Sequence, residues 1–71
     1  MAKKRRVAVW YDREGDFLEV IFEKKEGYFR ETANDQVMEK VDKDGHVIGF
    51  QVLKVSRLTH PLDVELASAE A

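Results

Sequence analysis

The stretch Val37-Met38-Glu39-Lys40-Val41-Asp42-Lys43-Asp44-Gly45-His46-Val47-Ile48-Gly49-Phe50-Gln51-Val52-Leu53 decides the fold of this chain. Two β-rich runs flank Asp42-Lys43-Asp44-Gly45. Aspartate there hydrogen-bonds its local backbone, and glycine takes positive φ without a Cβ clash, so the segment writes a tight hairpin. The first run alternates, with Val37, Glu39 and Val41 on one side and Met38 and Lys40 on the other, as in a less buried strand at a sheet edge. In the second run Ile48, Phe50 and Val52 share one face while Val47, Gly49, Gln51 and Leu53 share the other, so both faces carry apolar groups. Gly49 weakens a strand interior unless a bulge or a close neighbour requires it, and Trp10 is a candidate for that neighbour.

A second unit of the same general form precedes it. Val7 to Tyr11 is apolar and strand-favouring, Asp12-Arg13-Glu14-Gly15-Asp16 supplies turn formers, and a new strand runs from Phe17 to Phe22. Its Leu18, Val20 and Phe22 share one face, and Phe17, Glu19 and Ile21 the other. Between the units, Glu23 to Gly27 reads as a charged loop, and Tyr28-Phe29-Arg30-Glu31-Thr32 fits either a strand extension or a segment crossing the sheet. After Leu53, the run to Leu58 suits one or two helical turns, with Lys54 and Arg57 in the half where cations favour a helix and Pro61 ending it. Leu62, Val64 and Leu66 alternate with Asp63 and Glu65 as a strand would, while Pro61 as a first helical residue and the alanines beyond also fit a helix. The expected architecture is α+β: a four-stranded antiparallel β-meander with a short C-terminal helix on one face. One β-rich domain spans residues 7–60, between a basic flank at residues 1–6 and a tail at 61–71.

A chain of 71 residues holds one domain and buries a smaller fraction of its surface than a larger domain does, so added stabilisation is expected. Cysteine is absent and histidine occurs twice, which excludes disulfides, thiolate metal sites and a familiar closed zinc cage. Oligomerisation is the remaining means. Hydrophobic residues make up 44% and charged residues 37%, enough for a core and a solvated exterior. No apolar run suits a membrane helix or a secretory signal, and a cytoplasmic location is the default. The net charge of −2 gives no field to attract nucleic acid. Only Lys3, Lys4, Arg5 and Arg6 form a basic run, a candidate phosphate contact that a solvated flank explains as well.

Tyr11-Asp12-x-Glu14-x-Asp16-x-Leu18-x-Val20, followed by Asp42-x-Asp44-Gly45-x-Val47-Ile48-Gly49-x-x-Val52-Leu53, resembles the small prokaryotic family called domain of unknown function 2283, over roughly residues 7–58. The resemblance implies a compact β-rich domain with a short C-terminal helix and brings no reaction or catalytic residues. Some similar proteins are encoded beside small toxin-like proteins, which implies an antitoxin-like or partner-binding role as one option. Gly15 stands where a small residue such as alanine is common.

Asp12, Glu14 and Asp16 lie close in sequence, and alternating carboxylates suit calcium or magnesium. The spacing lacks the glycine and distant glutamate of a calcium loop, and turns favour the same residues for local reasons. Asp42 and Asp44 read the same way. In a meander both acidic turns lie at one end of the sheet, so Asp12, Asp16, Asp42 and Asp44, with Glu14, are the candidate metal ligands. His46 and His60 read as incidental. Ser56 and His60 share helical spacing without the base, orienter and oxyanion donors a nucleophile needs, so no catalytic residue is assigned and no cofactor is expected.

The aromatic residues fill strand positions a small core requires, with no interleaved basic residues to make a nucleic-acid platform. Apolar groups on both faces of two strands make a homodimer, packed sheet to sheet or edge to edge, the simplest cover, with Trp10, Phe17, Ile21 and Val47 as candidate interface residues. The expected function is a non-enzymatic protein-interaction module acting as a homo-oligomer. The alternatives are an antitoxin-like partner of a small toxin and a cation-dependent domain or enzyme using the acidic turns.

Overall fold

The run with apolar residues on both faces becomes the centre of the sheet. In the computed structural model, which describes residues 6–66, one antiparallel sheet forms from β1 (Ala8–Asp12), β2 (Phe17–Ile21), β3 (Tyr28–Glu31), β4 (Val37–Val41) and β5 (Val47–Leu53). The order across it is β1-β2-β5-β4-β3. β5, the longest strand at seven residues, is therefore hydrogen-bonded on both sides. Strands β2 to β5 make a Greek key, in which β3, β4 and β5 follow as hairpins and β2 lies beside β5.

This corrects the expected α+β meander in three respects. The fold is all-β, the strands number five because Tyr28–Glu31 pairs along β4, and the last strand is inserted between the second and fourth. Among the described residues there is no α-helix, only a 3₁₀ turn at Val55–Arg57. Lys54, at φ 54 and ψ 50, turns left-handed before it, and Leu58 is already extended after it, so three residues are all that can coil. None of the described helices is long and apolar enough to cross a membrane.

Register explains the core. Val37 faces Val52 and Glu39 faces Phe50 across β4 and β5, while Leu18 faces Val52 and Val20 faces Phe50 across β2 and β5. Cross-strand partners share a face, so these residues lie on one side of the sheet. There Val37, Val41, Ile48 and Val52 are all at most 4% exposed. Phe22 and Phe50 add a tilted ring pair with centroids 5.9 Å apart. One carboxylate also lies on this face: Glu39 is buried and accepts from Arg30 Nε at 2.9 Å and Nη2 at 2.5 Å, the two residues being opposite in the β3–β4 register. A charge in an apolar face needs such a partner.

Lys40 pairs with Gly49 and Val41 with Val47, leaving Ile48 as an extra residue in β5, a β-bulge. The Ile48 carbonyl accepts the N–H groups of Phe22 at 2.8 Å and Glu23 at 3.3 Å. These bonds fasten the start of the crossover from β2 to β3 against β5. The crossover ends on Gly27, where a Cβ would stand 2.3 Å from the Val41 carbonyl oxygen and 3.1 Å from Ile48 Cδ1. Gly49 likewise answers a close approach, by the Val20 carbonyl and Ile21 rather than by Trp10. Beyond the 3₁₀ turn, Leu58, Leu62, Val64 and Leu66 are half-buried and Asp63 and Glu65 exposed. The alternation holds without forming a strand, and Asp63 and Glu65 line a cleft with Val37 and the turn after β3.

Ile48 joins the bulge, the crossover and the core, so Ile48→Ala is expected to lower unfolding free energy by about 2–5 kcal/mol in urea titration. A loss below about 1 kcal/mol would mean that the site collapses around the smaller side chain or is loosely packed.

Candidate functional site

The strand order separates the two acidic turns. Phe17, at the close of the first turn, pairs with Leu53, whereas Ile21 pairs with Gly49 near the second turn. The β1–β2 and β4–β5 turns therefore project from opposite ends of the sheet, and the expected convergence of Asp12, Glu14 and Asp16 with Asp42 and Asp44 does not occur.

Three of these carboxylates, those of Asp12, Asp16 and Asp42, hold backbone N–H groups in place. Asp12 Oδ1 accepts the Gly15 N–H at 2.8 Å, closing the first turn. Asp16 is left-handed at φ 58, a conformation that aspartate tolerates better than most side chains. From there it reaches across the sheet end: Oδ1 accepts the Ser56 N–H at 2.9 Å, Oδ2 accepts the Ser56 hydroxyl at 2.6 Å, and its carbonyl accepts the Val55 N–H at 3.1 Å. The Ser56 hydroxyl and N–H hold the Asp16 carboxyl below its ordinary value. This clasp joins residues forty positions apart, and no local pattern in the chain announces it.

At the other end, Asp42 is buried, and its Oδ1 accepts the N–H groups of Asp44 and His46, both at 2.9 Å. Gly45, at φ 85, completes the turn. Lys25 Nζ, on the crossover, stands 3.5 Å from Asp42 Oδ2, and His46 Nδ1 stands 3.6 Å from the same oxygen. The His46 N–H is the main cause of a lowered Asp42 pKa, opposed by burial and aided by the Asp44 N–H and by Lys25. Asp42, Asp44 and His46 each offer a ligand atom within 4.8 Å of the others, the one such cluster among the described residues. Its buried member is already engaged by two backbone donors and faced by a lysine. The arrangement builds a turn and ties the crossover to it.

The other candidates fall apart in space or lie outside the described residues. The Ser56 hydroxyl belongs to Asp16, and His60 Nδ1 lies 2.9 Å from the Thr59 hydroxyl. Lys3, Lys4 and Arg5 are outside the described residues, while Arg6 is exposed just ahead of β1. Trp10, Phe17 and Ile21 do share a face: the register sets Trp10 against Glu19, Phe17 against Leu53 and Ile21 against Gly49. Val47 is parted from them by the bulge, which pairs it with Val41 on the opposite face.

Large apolar side chains are also exposed, at the two edges of the sheet. Val7 is 48%, Val9 64%, Trp10 61% and Tyr11 48% exposed, all on or beside β1 at one edge of the sheet. At the other edge stand Tyr28 and Phe29, the latter with Lys40 Nζ 5.8 Å from its ring centroid.

Both lowered carboxyl groups contribute stability that is present above their ordinary value of 3.8 and is lost as pH falls through their folded values. The thermal midpoint is therefore expected to fall as pH drops below about 4, and Asp16→Asn, which keeps an acceptor and tolerates the left-handed backbone, to fall less steeply. Identical acid limbs in a melting series would remove the clasp from the account.

Nothing among curated proteins or solved structures matches the chain. A family model described as Protein of unknown function (DUF2283) matches residues 8–56, which run from the first residue of β1 to the serine that closes on Asp16. With both hairpins, the crossover and the clasp inside that match, the chain belongs to the DUF2283 family of proteins of unknown function.

Proposed function

We propose that this protein is a non-enzymatic interaction module that works as a homo-oligomer. One observation carries the reading: the apolar residues left exposed are concentrated on β1, an edge strand, where Val9 and Tyr11 point to one face and Trp10 to the other. An apolar edge strand combines unpaired backbone groups with side chains that favour leaving water, and a tryptophan in such a patch is the residue type that dominates association energies. The carboxylates of Asp12, Asp16 and Asp42 are engaged by backbone N–H groups, by Ser56 and by Lys25, which favours binding over chemistry.

Sedimentation over a hundredfold range of concentration, about 1–100 μM, tests this by reading the mass of the species present. A dimer is expected, with Trp10→Ser weakening it by about tenfold or more while leaving the far-UV spectrum of the sheet unchanged. A monomer throughout that range would overturn the reading.

A further inference from the structure

The two edges of the sheet are not equivalent. β3 spans four residues and carries Arg30 and Glu31, the short and charged form that natural sheets use to discourage association. β1 has no charge from Ala8 to Tyr11, no proline, no glycine and no bulge. Its charges stand only at the ends, Arg6 before the strand and Asp12 at its close.

We infer that this edge is completed by β1 of a second copy of the chain, running antiparallel about a two-fold axis at Val9, so that Arg6 of each copy lies opposite Asp12 of the other. The inference rests on the homo-oligomer reading above and gives it a surface and a register.

A two-fold axis normal to the sheet keeps each face continuous, so residues meet others from their own face. Arg6, Ala8, Trp10 and Asp12 alternate onto one face, Val7, Val9 and Tyr11 onto the other. Centred on Val9, the first face sets Arg6 against Asp12 at both ends and the large Trp10 against the small Ala8 between them. The second sets Val9 against Val9 and Val7 against Tyr11. Every charge meets its opposite and the largest ring meets the smallest side chain. Centred instead on Trp10, the strand would set Trp10 against itself and Asp12 against Ala8. Centred on Ala8, it would set Arg6 against Trp10 and carry Asp12 past the end of the described residues. Asp12 is equipped for the role, since the turn engages only its Oδ1 and its second oxygen is left to accept from the guanidinium. The two five-stranded sheets become one, and the Trp10, Phe17 and Ile21 surface is continued across the axis.

The chain contains no cysteine, so a single Val9→Cys substitution reads the register directly. Directly opposed antiparallel residues have Cα atoms about 4.5–5.5 Å apart, within disulfide reach. Oxidised Val9→Cys is expected to run as a covalent dimer, whereas Val7→Cys, whose two copies would be offset by about four residues, or roughly 13 Å, is expected to stay uncrosslinked. In the second arm, Arg6→Asp and Asp12→Lys each weaken self-association by about tenfold, and an equimolar mixture of the two restores it as a heterodimer, because each pair then holds opposite charges again. A dimer in sedimentation that gives no Val9→Cys crosslink would overturn the register and leave the homo-oligomer reading standing. A monomer at every concentration would overturn both. Crosslinking of Val7→Cys in place of Val9→Cys would also sink the register, whether or not the charge variants fold.

Discussion

The carbonyl of Ile48 holds the topology. Its two hydrogen bonds, from Phe22 and Glu23, pin the chain leaving β2 to the strand that is made last, continuing the ladder by which β5 takes the edge of β2 that β3 would otherwise meet. The bulge frees Ile48 from the β4 ladder and places its side chain wholly within the core, so one residue serves the ladder on its β2 side, the crossover and the apolar face. Gly27 extends the same constraint, since the crossover runs so close to Val41 that a side chain there has no room. In a chain of this size the core is four aliphatic residues in the sheet, and the crossover lies against two of them, Val41 and Ile48.

What was legible in the sequence was local. Asp12 to Asp16 and Asp42 to Gly45 announce two hairpins because the turn chemistry is written within a few residues, and both hairpins form. The family resemblance was carried by those same turns and strands. Apolar groups on both faces of β5 mark a strand that needs cover above and below the sheet, and the chain gives no hint that β2 lies at its second edge. That pairing joins Phe17 to Leu53, a separation no periodicity reports. The four residues of β3 are too few to distinguish a strand from a segment crossing the sheet. The helix expected after Leu53 is cut short by the left-handed Lys54, a conformation invisible in residue type.

The candidate site followed the same division. Asp12, Asp16, Asp42 and Asp44 were recognisable as turn residues, but whether the turns met depended on strand order and so could not be read from spacing. Trp10, Phe17 and Ile21 fell on one face by simple alternation, and Val47 left it because a bulge adds one residue and reverses the face. The Arg30–Glu39 and Asp16–Ser56 pairs had no sequence signal, since each depends on register or on topology rather than on neighbours.

The β2–β5 ladder also governs how the chain finds its structure. The β1–β2 hairpin and the β3-β4-β5 hairpins close loops of a few residues, which cost little time or entropy. Joining them requires the far ends of a long loop to meet, from Phe17 to Leu53, so the contact order of the domain is concentrated in one ladder. Until that ladder zips, β5 has a second open edge of its own, flanked by Phe50 and Val52. The interval before docking is thus when the chain is most exposed to pairing with a neighbour, and the Asp16–Ser56 clasp adds side-chain bonds at the Leu53 end of the ladder that closes it.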